Sequence, residues 1–399
     1  MNYCKTILTI LLAAHSGFSF AQVLPEDVKY HRSSLYTLMI DDSTRMHASA
    51  IKEAFTSYPV PDKFNDHNLK NRMIKSKAVV EDQTVPIAHF LNTNDIAKKL
   101  VAKWFNRNEK GAFNMNLVAE RGFYNASEMD ANVAKLSKRG LAMLADAGEE
   151  LILNTFVLVS DFKYMSHEEL VKKARKTTAD INKAAGQLKL GGFRLPGVAD
   201  AAMDVFKKGY LVLTTSYLYR LEWNDSVAAV FYNDYWTDSI SLESKKIAAY
   251  DTSSIFKFTY IGKEEAWADW PSTVYSGKSE EQLIGKATIQ ALDAVIAKLQ
   301  DKHEEFRTKT PLLTTEPLSA KIGLKEGLEA GDIYQVLELT QNEDGRTAYN
   351  KVGTIKVDKS QIWDNRYMAT GDSINPVDRT LFKKVGGKDF FPGMLIKQK

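Results

Sequence analysis

The alternation of side chains from Leu211 to Trp223 constrains the fold of this chain more than any other stretch. Every second residue from Leu211 is apolar, aromatic or β-branched, and the positions between them turn polar towards Glu222. A two-residue period of this kind predicts a β-strand with one buried face. Residues 224–226, Asn-Asp-Ser, are typical of a turn, so we expect Val227–Trp236 to return as the second strand of a hairpin.

The first residues have the pattern of an export signal. Lys5 supplies a positive charge, and the apolar run Ile7–Ala14 is far shorter than the ~20 residues of a membrane-spanning helix. A small-x-small cleavage site follows at Ser19-Phe20-Ala21. We therefore predict that residues 1–21 are a cleaved signal peptide and that no transmembrane segment remains after cleavage. The expected location is the periplasm or the cell surface of a bacterium.

Cysteine usage and charge restrict the chemistry of the mature chain. Cys4 is the single cysteine and lies in the predicted signal, which excludes disulfides, thiolate metal sites and a cysteine nucleophile after cleavage. An exported chain of this size without cysteine fits a bacterial envelope. The net charge is +3, with 53 basic against 50 acidic residues, and this balance predicts neither nucleic acid nor an anionic membrane as a partner.

The order of the patterns predicts two domains. We expect an α+β domain at 22–307, in which an antiparallel meander packs with long amphipathic helices, then a linker at 308–317 and a small β-rich domain at 318–399. Ser279-x-x-Gln282 predicts a capping box that opens the longest helix, which runs to about Phe306. Further helices are predicted at Thr44–Tyr58, through Ile96–Trp104, from Ser127, from Ser166 and at Ala201–Phe206, and further strands at Leu35–Ile40, Leu151–Val159, Ile255–Ile261, Ile333–Leu339, Tyr349–Val357 and Met394–Lys397.

Motifs for catalysis and cofactors are incomplete wherever they begin. The Gly-Lys-Ser tripeptide at 277–279 has Ser272 where a phosphate loop needs glycine. The two His-Glu pairs, at 167 and 303, lack the second histidine of a zinc motif. Ser49 and Lys52 would share a helix face, but the partner motifs of serine–lysine enzymes are missing. The sequence therefore predicts no catalytic residue, no metal site and no cofactor, and leaves open whether the protein is an enzyme.

Aromatic residues are concentrated around the predicted meander. Residues 210–275 contain 15 of the 42 aromatic residues in the chain. They would either stack against sugar rings or a partner protein, or form the apolar face of a sheet that packs on the long helix. The candidate binding residues are Trp223, Trp236, Trp267 and Trp270.

A carboxylate pair for glycoside cleavage would have to lie near these rings. Glu222 and Asp225 are the pair that the pattern places at the end of the central strand. The alternative interpretation of both residues is solvation of a strand end and a turn.

One stretch near the C-terminus resembles a known module. Residues 321–336, Lys-Ile-Gly-Leu-Lys-Glu-Gly-Leu-Glu-Ala-Gly-Asp-Ile-Tyr-Gln-Val, are followed by Gly-Thr-Ile-Lys-Val at 353–357 and by Ser360. This pattern resembles a small SH3-like β-barrel and is similar to the C-terminal module of bacterial envelope-assembly proteins such as the flagellar T-ring component. It is confined to residues 321–360, and it implies a non-catalytic, protein-contacting module in the periplasm or at the cell surface.

Together these patterns predict an exported, non-enzymatic envelope protein that binds or scaffolds other envelope components. Two alternatives remain open. One is a secreted hydrolase that acts on glycans, and the other is a carbohydrate-binding protein. The expected partners are accordingly envelope proteins or glycans.

Overall fold

The structure is a computed structural model of the chain. It describes residues 32–61, 63–75, 82–122, 148–165, 209–271, 279–341, 347–365 and 377–399. The predicted signal peptide with Cys4, and the predicted helices that begin at Ser127, Ser166 and Ala201, lie outside the described residues and stay predictions.

The described residues form twelve strands and seven α-helices. The strands are β1 (Ser33–Asp41), β2 (Phe64–Asp66), β3 (Met73–Lys75), β4 (Thr155–Met165), β5 (Gly209–Leu221), β6 (Phe258–Pro271), β7 (Thr310–Thr315), β8 (Leu318–Ala320), β9 (Ile333–Gln341), β10 (Thr347–Val357), β11 (Thr380–Gly387) and β12 (Leu395–Gln398). The helices are α1 (Ala48–Ser57), α2 (Thr84–Thr93), α3 (Ile96–Trp104), α4 (Asn116–Gly122), α5 (Asp225–Val230), α6 (Ser244–Thr252) and α7 (Glu280–Lys302).

The first six strands make one mixed sheet. Its order is β2-β1-β4-β5-β6, and β3 pairs with another part of β1. Strand β1 runs parallel to β2, β3 and β4, whereas β4, β5 and β6 form an antiparallel meander. The predicted α+β class, with a meander packed against helices and a small barrel after it, is confirmed.

The predicted hairpin partner of the central strand is wrong. Asn224 caps α5 by accepting a hydrogen bond from the Val227 amide at 3.0 Å, and the helical backbone continues through Phe231–Tyr235. Phe231 and Tyr235 are buried, and with Val227 they recur every four residues, as on one face of a helix. The partner of β5 is instead β6, which extends ten residues beyond the predicted end at Ile261.

Helix α7 lies on one face of the sheet. Ser279 and Gln282 form the predicted capping box, with the Ser279 amide donating to Gln282 Oε1 at 3.1 Å. Residues on most sides of α7 are buried, because the sheet and α1 pack against one side and the C-terminal barrel against another. The core on this face contains Leu35, Met39, Phe156, Leu158, Val212, Leu218, Ala266, Ile284, Leu292 and Val295.

The opposite face of the sheet is partly covered by α2 and α3. Ile87, Leu91 and Leu100 from these helices pack on apolar side chains of the first strands. The sheet residues in this layer are Tyr36, Leu38, Ile40, Val157, Val159, Tyr217 and Tyr219.

The last six strands close a small antiparallel barrel of order β10-β11-β8-β7-β12-β9. Its core includes Leu312, Tyr334, Ile355 and Phe382. Residues 308–317, predicted as a linker, contain β7, which pairs with both β8 and β12; this segment is therefore part of the barrel. The closed barrel is compatible with the SH3-like module expected from the sequence.

Within the described ranges, no helix combines the length and the apolar character needed to cross a lipid bilayer.

Candidate functional site

Two of the four candidate tryptophans belong to an aromatic core. Trp223 is 8% exposed, and its ring centroid lies 5.6 Å from that of Phe105 and 5.6 Å from that of Phe231. Trp236 is half-buried, and its ring centroid lies 5.9 Å from that of Phe113. This cluster packs against α3 and α6 rather than on the long helix, and it stabilises the fold through buried aromatic area.

Trp267 lies far from that cluster. It pairs with Leu213 on β5, whereas the aromatic core begins at Leu221, which pairs with Phe258. Eight residues of strand separate Leu213 from Leu221, or about 26 Å at ~3.3 Å per residue. Trp223 and Trp267 therefore do not form one platform. The backbone of Trp270 pairs with Tyr210, but the side chain of Trp270 lies outside the described part of the structure.

The candidate carboxylates Glu222 and Asp225 have structural partners or face solvent. Glu222 Oε1 accepts a hydrogen bond from Thr259 Oγ1 at 2.9 Å across the strand pair. Asp225 is exposed in the first turn of α5, where a negative charge favours the helix N-terminus. This geometry supports the interpretation of the two residues as strand-end and helix-end polar groups.

A different set of residues on β6 forms a surface with mixed chemistry. Tyr260, Lys263, Glu265 and Trp267 lie on the sheet face opposite α7, opposite Tyr219, Tyr217, Thr215 and Leu213 of β5, respectively. We call these four residues the edge row, because β6 is the last strand of the sheet within the described residues. The row is about 20 Å long at ~3.3 Å per residue.

The charged members of the edge row are exposed and are oriented by neighbouring groups. The Lys263 ammonium lies 5.8 Å from the Tyr217 ring centroid and 3.8 Å from Asp82 Oδ1. Glu265 Oε1 accepts a hydrogen bond from Thr215 Oγ1 at 3.3 Å. One cation and one anion are thus held about two residues apart on β6.

The aromatic members lie at the two ends of the row. Tyr260 is 40% exposed, and its ring centroid lies 5.3 Å from that of Tyr219. Partial burial raises the pKa of Tyr260, so its hydroxyl stays protonated and can donate a hydrogen bond. Trp267 is half-buried. Exposed rings beside charged groups are typical of contact surfaces, because a ring buries much apolar area with little loss of side-chain entropy.

A buried ion pair lies on the same face, two strands further in, on β4. Asp161 of β4 pairs with Thr215 and is 4% exposed. Arg45 donates to the Asp161 carboxylate, to the Phe162 carbonyl at 2.8 Å and to Asp42 Oδ2 at 3.1 Å. Hydrogen bonds from Thr44 and the charge of Arg45 lower the pKa of Asp42. Arg45 therefore fastens the loop before α1 to β4.

A cavity of about 240 Å³ lies beside the ends of the parallel strands β1 and β3 and the helix α2. Ile40 and Ile74 contribute its apolar wall, and Lys75 and His89 contribute polar groups. The remaining lining residues are Gln83, Pro86, Ile87, Phe90, Thr93 and Asn94. Among the described residues no group of three or more His, Cys, Asp or Glu side chains could hold a metal ion.

Of the edge row, Trp267 was predicted as a binding residue, and Tyr260 was predicted on a strand but not as part of a site. The predicted strand stopped at Ile261, so Lys263 and Glu265 carried no structural assignment. The signal that could have found them is the alternation of Ala266 and Ala268, which face the helix side, with charged or aromatic residues on the other face.

Comparison of the sequence with models of protein families gave no match, and comparison with curated proteins gave none.

Proposed function

We propose that this protein is an exported, non-enzymatic protein of the bacterial envelope that binds another envelope component through the edge row. The observation that carries the proposal is the combination of Tyr260, Lys263, Glu265 and Trp267 on β6, the last strand of the sheet among the residues that the structure describes. Two rings can supply contact area, and the two charges between them can select a partner of complementary charge.

The position of the row on an outer strand supports a protein partner. The outer backbone groups of such a strand can pair with an extended segment of another chain. Charged side chains on an edge strand also disfavour indiscriminate pairing, which would aggregate the protein. Lys263 and Glu265 thus favour a selected partner over self-association.

The C-terminal barrel supports the same class of function. Its closed six-stranded architecture is compatible with an SH3-like module, and the sequence of residues 321–360 resembles the protein-contacting module of envelope-assembly proteins. The pattern of residues 1–21 supports export. In this proposal the barrel contributes a second contact surface, and the edge row contributes the first.

The test is site-specific photo-crosslinking in the native host, followed by fractionation with and without high salt. The crosslinker replaces the exposed Glu265 in one strain. In the control strain it replaces Ile240, which is 97% exposed in the loop before α6. We expect position 265 to crosslink defined envelope neighbours and position 240 to crosslink none of them. Charge reversal by Lys263→Glu should weaken a crosslink from position 265, because the row would then lack its cation.

Two outcomes would contradict the proposal. A protein that is monomeric and free of crosslinks in the periplasm or the medium would remove the scaffolding role. Crosslinks from position 265 to glycan alone would favour carbohydrate binding, provided that the purified chain also binds the glycan and Trp267→Ala does not. Release of sugar from that glycan would favour the hydrolase.

A further inference from the structure

The barrel meets the long helix α7 through the turn at 323–328. Gly327 has a backbone φ of +75°, and a Cβ built there would lie 3.3 Å from the Cβ of Ala297 on α7. The barrel and the helix are therefore in direct contact, and this turn belongs to the stretch that resembles the SH3-like module. The same turn carries Lys325, whose side chain reaches the α+β domain, and Glu326, whose charge acts on Asp293 of that domain.

The carboxylate of Asp293 lies at this contact. The residue is 8% exposed on α7. It accepts a hydrogen bond from the phenol of Tyr58, at the end of α1, and its Oδ1 lies 3.9 Å from the Lys325 ammonium of the barrel. The Lys325 ammonium also lies 5.4 Å from the Tyr58 ring centroid. One acid of the α+β domain is thus enclosed by a residue of its own domain and a residue of the barrel.

A second lysine and a second acid complete the cluster. Lys63, in the loop before β2, donates to Gln300 Oε1 of α7. Glu326 Oε2 accepts hydrogen bonds from the Gly323 amide at 2.8 Å and from Asn365 Nδ2 at 2.7 Å, both within the barrel. The ionisable groups that act on Asp293 from the surrounding elements are therefore Tyr58, Lys63, Lys325 and Glu326.

Burial dominates the titration of the two central groups. It raises the pKa of Asp293 from 3.8 to about 6, although Lys325, the Tyr58 hydrogen bond and Lys63 act in the opposite direction. Burial also lowers the pKa of Lys63 from 10.5 to about 8. At neutral pH, burial therefore destabilises the ionised carboxylate of Asp293 more than the neighbouring groups stabilise it.

We propose that docking of the barrel on α7 is coupled to uptake of a proton by Asp293, so that the barrel is held more tightly as its surroundings acidify from neutral. When the barrel leaves the helix, the Lys325 side chain and the turn that carries it no longer enclose Asp293, and water solvates its carboxylate. The docked form then binds a proton more strongly than the undocked form. By linkage, acidification favours the docked form.

The direction and the size of the pH effect on docking follow from the protonation of Asp293 in the docked and the undocked forms. An undocked carboxyl is ionised at pH 5, whereas the docked one is mostly protonated there. The docking equilibrium should therefore increase about tenfold between pH 7 and pH 5. Lys63 changes charge near pH 8 and adds little in this window. This coupling does not depend on the proposed partner binding.

The absence of cysteine after residue 4 permits a direct test in the full chain. Cys4→Ser removes the native thiol, and Ala297→Cys places a thiol under the barrel; a second chain carries Ile240→Cys as a fully exposed reference. The ratio of the labelling rates at 297 and 240 reports the undocked fraction independently of thiol ionisation. We expect this ratio to fall about tenfold from pH 7 to pH 5.

Two variants identify the titrating group. Asp293→Asn keeps an oxygen that can accept the Tyr58 hydrogen bond, but it cannot titrate. The ratio of the labelling rates at 297 and 240 should therefore become independent of pH between 5 and 7. Lys63→Gln should keep the tenfold change in this ratio between pH 7 and pH 5, because Asp293 is intact. A ratio that is constant or rises on acidification in the parent, or a tenfold change that persists in Asp293→Asn, would overturn the proposal.

A second reporter is needed because the thiol at 297 lies in the contact between the barrel and α7 and can disturb it. Dyes on Ile240→Cys and Val385→Cys, both exposed, join the α+β domain to the barrel for energy transfer. The urea concentration at which transfer is lost should shift upward from pH 7 to pH 5 more in the parent than in Asp293→Asn. Equal shifts in both chains would also overturn the proposal.

Discussion

The imidazole of His303 lies directly against the backbone of Gly262. A Cβ built on Gly262 would come within 2.3 Å of His303 Cε1 and 2.6 Å of His303 Nε2. Gly262 follows a bulge in β6, and His303 ends α7, where its amide donates to the Leu299 carbonyl at 2.9 Å. The end of the long helix therefore reaches the outer strand only because position 262 has no side chain.

Gly262→Ala should destabilise the protein by about 2 kcal/mol, because the new methyl group must displace the ring or the strand. The measurement is the free energy of unfolding from urea denaturation. Gly386→Ala is the matched control, since a Cβ at Gly386 meets nothing within 4 Å. It should change stability by no more than about 0.5 kcal/mol. His303→Ala in the Gly262→Ala background should restore part of the loss, and no recovery would contradict the proposed contact.

The two tryptophans at opposite ends of the meander should respond differently to truncation. Trp223→Ala removes a buried ring from the aromatic core and should cost about 3–5 kcal/mol of unfolding free energy. Trp267→Ala should cost clearly less, because that ring is half-buried, and should instead reduce crosslinking from position 265. Equal losses of stability, with unchanged crosslinking, would assign Trp267 to the core alone.

The sequence predicted the elements whose signals are local. The alternation at 211–223 corresponds to β5, and the Ser279 capping box opens α7 as expected. In both cases the period or the hydrogen bonds lie within a few residues, so neighbouring positions contain the necessary information.

Other elements were missed where a local signal fits two structures. Val227, Phe231 and Tyr235 suit a helix face, yet their β-branched and aromatic character also suits a strand. Pro311 and Pro317 indicate a loop, but Pro311 is accommodated in β7 beside Leu395 of β12. In both segments, contacts with distant parts of the chain determine the secondary structure.

The candidate site was predictable only in part for a similar reason. Trp267 was identified as a surface candidate, but the edge row requires the register of β6 against β5. The contact between Asp293 and Lys325 joins residues far apart in sequence, and it depends on how the barrel packs on α7. No local pattern specifies such a contact.

The Arg45–Asp161 ion pair, on the same sheet face as the edge row, should contribute strongly to stability. Arg45→Met keeps an apolar stem but leaves the Asp161 carboxylate, 5% exposed, without its main cation. We expect a loss of about 3 kcal/mol in the free energy of unfolding, because an unpaired buried charge is costly. Lys163→Met is the control: its ammonium lies 3.9 Å from Asp161 and the side chain is 45% exposed, so the effect should stay within about 0.5 kcal/mol. Similar losses in the two variants would show that Arg45 does not act through this pair.

His67 should make the folded protein less stable in acid. The residue is fully buried; its Nδ1 accepts from Arg121 Nη1 at 3.0 Å, and its Nε2 donates to the Leu100 carbonyl at 3.1 Å. Burial, and then the charge of Arg121, hold the pKa of His67 well below its ordinary value of 6.5. As the pH falls below 6.5, the unfolded chain takes up a proton that the folded chain excludes. Between pH 7 and pH 5 this should remove about 2 kcal/mol of stability.

The contribution of His67 can be isolated by comparing pH dependences, because Asp293 acts with the opposite sign in the same window. His67→Gln cannot take up a proton, so its unfolding free energy should lose about 2 kcal/mol less than that of the parent from pH 7 to pH 5. His89→Gln, at an exposed site, should retain the dependence of the parent. If His67→Gln and the parent lose equal stability on acidification, His67 must be able to hold a proton in the fold, and the Arg121 contact cannot be the barrier to it.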